Sequence, residues 1–397
     1  MLQPPAYAAV LAKAQAFIPP SWGRSGFPLR LIAASTAILF LLLLLLLDGT
    51  RSYLPTFQAN HHHNNTSPPP PVTIPNQLHF VYILKDPVAG DFGFQFSHFL
   101  SIFAAHHHWR PHKIFLHTNV LANSTAVARA RSGEAGKWNR LVLTHFNSTL
   151  EINTVPTPTH AGNGRELVNM EHKSDFVRVK AVHDLGGVYI DWDVHALRDI
   201  RILLNSGFKA IGGRQVDGLL NSGTFMSTKG GKMIRLWMEK MHVVYDGKWA
   251  THSNVVLTNI AERLIREEGE MLIMDREAFA PGGWKNEDYD RLFSLRNETS
   301  NLEGLVQGDE LPSHEEAFED RWEHPERFPE WERDWSQTYL LHGFLPYRSG
   351  HQVPGFDHIT PKYVLSRQSD FARAVYPMAK MLYDQGLMEI EDSYTGT

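Results

Sequence analysis

Lys173-Ser-Asp-Phe-Val-Arg-Val-Lys-Ala-Val-His-Asp-Leu-Gly-Gly-Val-Tyr-Ile-Asp-Trp-Asp193 is the stretch whose reading decides the fold. A helix is expected over about Ser174 to Leu185, then a stop at Gly186 and Gly187, a short buried strand over Val188 to Ile190, and two aspartates one residue apart. Along an extended chain alternate side chains share a face, so Asp191 and Asp193 are expected to point the same way. Two carboxylates aimed together where a strand ends form a hard-oxygen site, suited to Mg²⁺ or Mn²⁺ bridging to phosphate oxygens. Asp-x-Asp alone is also a turn or helix-cap signal. Beside a buried strand, however, a carboxylate pair needs a compensating cation.

Working outward, Ile74 to Leu84 is a strand-like run rich in β-branched and aromatic residues. Residues 93–109 read as a helix, Lys113 to His117 as a second buried strand and Leu141 to His145 as a third. Further on, Ala210 to Gly213 and Thr224 to Ser227 read as strands, and Lys232 to Tyr245 and Ser253 to Glu268 as helices. Short apolar strands alternating with helices imply an α/β class with a mostly parallel sheet covered on both faces. Ligands of such sheets bind beyond the carboxyl ends of the strands, where Asp191 and Asp193 fall. Asp175 and Arg178 lie three apart on one helix and can pair. Spacing leaves two readings open: an ordinary surface ion pair, or a pair facing the cleft and hydrogen-bonding a hydroxyl-rich ligand.

Leu31 to Leu47 carries no charge and ends in an unbroken leucine run. A spanning helix needs roughly 17–25 apolar residues, so this segment is expected to be a short transmembrane signal-anchor. Lys13, Arg24 and Arg30 precede it, which keeps residues 1–30 on the cytosolic side and the rest in the lumen. A cleaved signal peptide fits less well, because thirty residues precede the apolar run. Residues 48–73 hold His61-His62-His63, Asn64-Asn65-Thr66 and four consecutive prolines, the composition of an extended stem. Sequons at Asn64, Asn65, Asn123, Asn147 and Asn297 all follow the span. A span this short suits the thinner membranes of the Golgi or ER.

Residues 74–397 remain for one large α/β domain, and with no cysteine its core must suffice alone. The net charge of −5 is uneven: residues 309–335 hold eleven acids against three arginines, so the remainder is slightly basic. No basic cluster resembles a nucleic-acid footprint, which sets that partner aside. His106-His107-His108 before Trp109 reads as cationic capping of a helix end.

Four elements in order, Ile74-Pro…His79-Phe-Val-Tyr82, Ser174-Asp-x-x-Arg178, Gly186-Gly-Val-Tyr-Ile-Asp-x-Asp193 and Asn221-Ser-Gly223, resemble the DXD-containing glycosyltransferases of family 32. That group includes fungal Golgi mannosyltransferases, and its core is similar to the glucosylating domain of large clostridial toxins. The resemblance spans residues 74 to about 350. It implies a GT-A fold (a Rossmann-like mixed sheet with helices on both faces), a nucleotide-sugar donor, Mn²⁺ or Mg²⁺, and retention of anomeric configuration. Carried over, Asp193 becomes the direct metal ligand, and Asp191 contacts the donor ribose or a metal-bound water. Asp175 and Arg178 hold hydroxyls of the donor sugar, while Val81 and Tyr82 flank the base, Tyr82 standing where relatives commonly have Trp. Asn221 reaches the sugar or diphosphate, and His342 completes the metal shell or touches the diphosphate. Gly343-Phe-Leu-Pro-Tyr-Arg348 follows His342 without the Trp found there in many relatives.

The expected activity is therefore transfer of a hexose from a UDP-sugar or GDP-mannose to a glycan or glycolipid acceptor. Two other classes compete: a membrane-tethered glycan-binding pseudoenzyme, and a metal-dependent phosphohydrolase, which would need more acidic or histidine ligands near the first pair. Trp322, Trp331 and Trp335 in the acidic stretch have no counterpart in the family core; they read as an acceptor platform or a surface insertion.

Overall fold

A computed structural model describes residues 73–296, 302, 305, 321–344 and 350–397. The expected tail, anchor and nearly all of the stem lie outside these residues, as do Asn297 and residues 309–320 of the acidic stretch. Among the described residues no helix is long and apolar enough to cross a membrane.

The chain opens with strand β1 (Gln77–Val81), helix α1 (Phe96–Trp109) and strand β2 (Lys113–Thr118), as the sequence led us to expect. Helices α2 (Thr125–Ser132) and α3 (Lys137–Thr144) lead to β3 (Leu150–Thr154). Here the expectation fails, because Leu141 to Thr144 is helical and the third strand lies further on. Trp138, Leu141 and Val142 are all buried at helical spacing behind Gly136, which outweighs the strand-like look of a short apolar run. The true strand escaped notice because only Leu150 and Ile152 of its five residues are apolar, which suits a sheet edge. Helix α4 (Met170–Leu185) begins four residues before its expected start and stops at Gly186.

Strands β4 (Gly187–Ile190), β5 (Val194–Ala196), β6 (Ala210–Arg214) and β7 (Leu220–Ser227) follow, with α5 (Lys232–Val244) and α6 (Val256–Leu264) behind them. A single π turn, Thr251–Val255, leads into α6. The later elements include β8 (Leu272–Met274), α7 (Asn286–Phe293), β9 (Leu340–His342), α8 (Pro361–Ser366) and α9 (Asp370–Asp384).

Seven strands form one sheet in the order β3-β2-β1-β4-β7-β6-β8, and β5 pairs with β9 in a separate ribbon. The β1/β2, β2/β3, β1/β4 and β6/β8 pairings are parallel, whereas β7 runs against both of its neighbours. Alternation along each strand splits the core in two. Phe80, Ile114, Val188 and Ile190 pack with Phe99, Trp138 and Phe146 on one face. Val81, Tyr189 and Phe225 pack with Val179, Trp237 and Leu257 on the other. Helices thus cover both faces, and each large apolar side chain taken from water contributes about 1.5–3 kcal/mol.

The Gly-Gly stop is imposed by crowding as well as by conformation. Gly187 has φ +111°, and a Cβ there would lie 2.5 Å from the Gln77 carbonyl oxygen. One buried polar chain crosses the parallel strands beside it. The Asn153 amide nitrogen donates to His117 Nδ1 (2.9 Å), His117 Nε2 pairs with His79 Nδ1 (2.9 Å), and His79 Nε2 meets the Gly186 carbonyl (2.7 Å). Because that carbonyl only accepts, His79 carries its proton on Nε2 and His117 likewise, leaving both rings neutral. Burial lowers the His79 pKa to about 4. Burial, with His79 adding to it, lowers that of His117 to about 3.

At the end of α1, His106, His107 and His108 occupy the last turn. Burial pushes His106 and His107 below their ordinary range, with His145 and Arg110 adding to it, so cationic capping is disfavoured.

Candidate active site

The carboxyl end of β4 is where the polar residues gather. Because β7 is antiparallel to β4, with Ile190 opposite Thr224, its first residues run alongside the segment that leaves β4. The Asp191 amide donates to the Gly223 carbonyl (2.8 Å), and the chain then turns, the Val194 amide donating to the Asp191 carbonyl (3.1 Å). Asp191 and Asp193 are therefore brought together by a turn, and strand alternation does not continue through them. Trp192 anchors that turn to β1: its indole nitrogen donates to the Val81 carbonyl (2.8 Å) and its ring stacks on Phe80 at 4.3 Å.

The ribbon beyond supplies a third group. Val194 pairs with His342, and the Gly343 amide donates to the Asp193 carbonyl (2.8 Å). This sets His342 Nε2 3.3 Å from Asp193 Oδ1. One ligand atom each from Asp191, Asp193 and His342 lie within 4.8 Å of one another. Asp193 and His342 are buried, whereas the Asp191 side chain keeps 32% of its exposure.

Two observations bear on whether this group fits a divalent cation. The floor is Gly223, where a Cβ would meet Asp191 Oδ2 at 2.6 Å and His342 Cε1 at 2.7 Å, so the cradle exists because no side chain fills it. Two carboxylates beside one imidazole form a donor set that suits a divalent cation. The tautomer of His342 adds a condition. The Gly223 amide donates to Asn221 Oδ1 (2.7 Å), which turns Asn221 Nδ2 toward His342 Nδ1 (2.7 Å). With Nδ1 accepting, neutral His342 holds its proton on Nε2, facing Asp193. Ligation through Nε2 requires the Asn221 amide to turn over; otherwise His342 is a donor toward Asp193 or an anion beside it.

Asp175 and Arg178 form no surface pair. Both are buried, Arg178 Nη2 meets Asp175 Oδ1, and Arg178 Nη1 donates to Asp191 Oδ1 (2.9 Å). The guanidinium lies over the Tyr189 ring at 5.1 Å, and the Tyr189 hydroxyl donates to Asp191 Oδ1 (2.6 Å). Burial alone would lower the Arg178 pKa, but Asp175 and Asp191 outweigh it and hold the group charged. Burial pushes the Asp191 carboxyl up; Arg178 pulls it down and Asp193 pushes it further up, for a net rise. A cation at the cluster would relieve that repulsion.

The structure thus gathers Asp175, Arg178, Asp191, Asn221, Asp193 and His342 into one network. Val81 ends β1 and Tyr82 follows it, tied to the same turn through Trp192. Val81 is buried, and the half-buried Tyr82 ring is wedged against Phe92, Phe94 and Trp192, its hydroxyl accepting from the Gly93 amide (2.9 Å). Burial raises the Tyr82 pKa despite that hydrogen bond. Of the acidic stretch, Trp335 is buried and Trp322 exposed, while the Arg296 and Arg373 guanidinium groups lie over the Trp331 ring at 5.3 and 5.9 Å.

Sequence reasoning missed Tyr189, Trp192, Ser222, His252 and Asn254. Tyr189 and Trp192 stood inside the decisive stretch, read as strand and spacer. His252 carried no signal among 22 histidines.

Residues 124–212 match the family described as the glycosyltransferase sugar-binding region containing DXD motif. Among curated proteins, Glucan organizing enzyme 1 of Cryptococcus neoformans var. grubii serotype A is 25% identical over 226 residues, 54% of this chain and 56% of that protein. The chain therefore spans about half the length of the curated relative it matches. Among solved structures, the apo-form glycosyltransferase GlyE of Streptococcus pneumoniae TIGR4 aligns over 79% of this chain and 64% of its own, at 10% identity and a TM-score of 0.39. The galactosyltransferase LgtC aligns over 79% of this chain and 100% of its own, at 12% identity and a TM-score of 0.36. Asp175, Arg178, Asp191 and Asp193 all fall within the matched stretch, so that region of the chain is similar to the sugar-binding region of DXD-containing glycosyltransferases.

Proposed function

We propose that this chain is a retaining, metal-dependent glycosyltransferase of GT-A type that moves a hexose from a UDP-sugar or GDP-mannose to a glycan or glycolipid. The observation that carries this reading is the convergence of Asp191, Asp193 and His342 at the carboxyl end of β4, with the buried Asp175–Arg178 pair bonded to Asp191.

Asp193 and Asp191 are the residues that would hold Mn²⁺ or Mg²⁺, with His342 as third ligand or as donor to the diphosphate. When bound, the ion supplies Lewis-acid neutralisation of the charge that develops on the leaving diphosphate. Arg178 and Asp175 offer a donor and an acceptor to sugar hydroxyls and so orient the anomeric carbon toward the acceptor. In this reading Asn221, in contact with His342, would reach the sugar or diphosphate, and Val81 and Tyr82 would flank the base. No carboxylate is assigned as a nucleophile on the far face of the sugar; attack by the acceptor on the face that the diphosphate leaves accounts for retention. Membrane anchoring through residues 31–47 and a Golgi or ER location, with the catalytic domain luminal, belong to the same proposal and rest on the sequence.

The test is release of nucleoside diphosphate from a panel of UDP- and GDP-sugars by the purified chain, with and without Mn²⁺. Mn²⁺-dependent release from one donor, falling to background in a folded Asp193→Asn variant, is the expected result. Full turnover in that variant would remove the metal role. Metal-dependent binding of a nucleotide-sugar without turnover in any acceptor mixture would turn the reading to a glycan-binding pseudoenzyme.

A further inference from the structure

Asp175 is held from two sides. Its Oδ1 meets Arg178, while its Oδ2 accepts from His252 Nε2 at 2.7 Å. His252 is fully buried, and its other nitrogen, Nδ1, has no hydrogen-bond partner among the described residues. Asp175 Oδ2 can only accept, so the ring proton is on Nε2 and the donor direction is fixed. The ring is wedged between Phe176, stacked at 5.7 Å, and His172, whose centroid lies 4.7 Å away.

The same short segment braces the partner of Asp175. Asn254 Oδ1 accepts from the Ser222 hydroxyl (3.2 Å), and that hydroxyl accepts from Arg178 Nη2 (3.2 Å). Asn254 is itself fixed by donating to the Leu220 carbonyl (2.9 Å). His252 and Asn254 stand on the π turn Thr251–Val255, an insertion of the kind often found at functional sites. One π turn thus reaches both members of the Asp175–Arg178 pair, directly at the acid and through Ser222 at the base.

We propose that His252 is a positioning residue for the sugar end of the donor site: it locks the Asp175 carboxylate so that Asp175 and Arg178 meet the donor sugar's hydroxyls in a fixed orientation. The inference rests on the glycosyltransferase reading above. An acid gripped by Arg178 alone could rotate about its side-chain bonds; gripped at both oxygens it cannot, and each oxygen keeps a lone pair for a hydroxyl.

The experiment measures binding of the full chain with Mn²⁺ to UDP-glucose against UDP, and to GDP-mannose against GDP, in wild type, His252→Leu and His252→Gln. Gln carries an amide nitrogen near the position of Nε2. Expected is a loss of about tenfold or more in His252→Leu for the nucleotide-sugar, with the bare diphosphate unchanged. His252→Gln should recover most of it, and Ser222→Ala should show a milder loss of the same kind. Equal weakening of sugar-nucleotide and diphosphate, or no recovery in His252→Gln, would make His252 merely structural and overturn the proposal. Unchanged sugar-nucleotide affinity in a folded His252→Leu overturns it as well. If wild type binds none of the four ligands, the transferase reading fails first, which the wild-type measurement alone reveals.

Discussion

At the residue scale the site depends on an atom that is absent. Gly223 sits under Asp191, Asn221 and His342, and a methyl group there would come within 2.6 Å of Asp191 Oδ2 and 2.7 Å of His342 Cε1. Its backbone also works, since its carbonyl accepts from the Asp191 amide and its own amide orients Asn221. Gly223→Ala must therefore push apart the groups that converge on the floor while leaving the strand pairing around them. Misplacement of reacting groups by about 1 Å costs roughly 10²-fold in rate. We expect Gly223→Ala to lose metal-dependent turnover by about that factor, with secondary structure by circular dichroism unchanged. Wild-type turnover in Gly223→Ala would show that the three side chains do not act as one group.

At the scale of elements, the buried chain from Asn153 through His117 and His79 to Gly186 ties β3, β2 and β1 to the turn that begins β4. Its neutrality makes stability depend on pH in a definite direction. Above the ordinary histidine pKa of 6.5 both rings are neutral, folded or unfolded, and contribute nothing. As pH falls below 6.5, the unfolded chain takes up protons that the fold refuses until about 4 at His79 and about 3 at His117. Stability is therefore lost on acidification between those limits, by an amount on the order of a few kcal/mol. Urea midpoints measured from pH 7.5 down to 4.5 should fall for wild type and fall less steeply for His79→Gln with His117→Asn. Parallel slopes for the two proteins would assign the acid sensitivity to other groups.

The whole molecule raises a question of place. Asn123 and Asn147 are both exposed, one just ahead of α2 and the other between α3 and β3, so both sequons are open to a glycosylating enzyme in a lumen. Synthesised with microsomes, the chain should sediment with membranes after alkaline carbonate washing and gain mass that an endoglycosidase removes. Substituting Asn123→Gln and Asn147→Gln together should reduce that gain. A carbonate-soluble, unmodified chain would overturn the anchored, luminal arrangement.

What the sequence by itself determined is mostly local. The Gly186-Gly187 stop, the buried strand before Asp191, the paired aspartates and the i, i+3 partners Asp175 and Arg178 all depend on neighbours a few residues away, where spacing and backbone freedom dictate geometry. Periodicity misled at Leu141 to His145, because a short apolar run serves a strand or a helix face equally well and only the packing of Trp138 chose between them. The tertiary structure alone decided the contacts between distant segments. The reversed direction of β7 laid Asn221, Ser222 and Gly223 against Asp191; the β5–β9 ribbon carried His342 to Asp193 across about 150 residues; and the π turn brought His252 onto Asp175. Such contacts are fixed by which strand edges and helix faces bury one another, and no spacing along the chain encodes that choice.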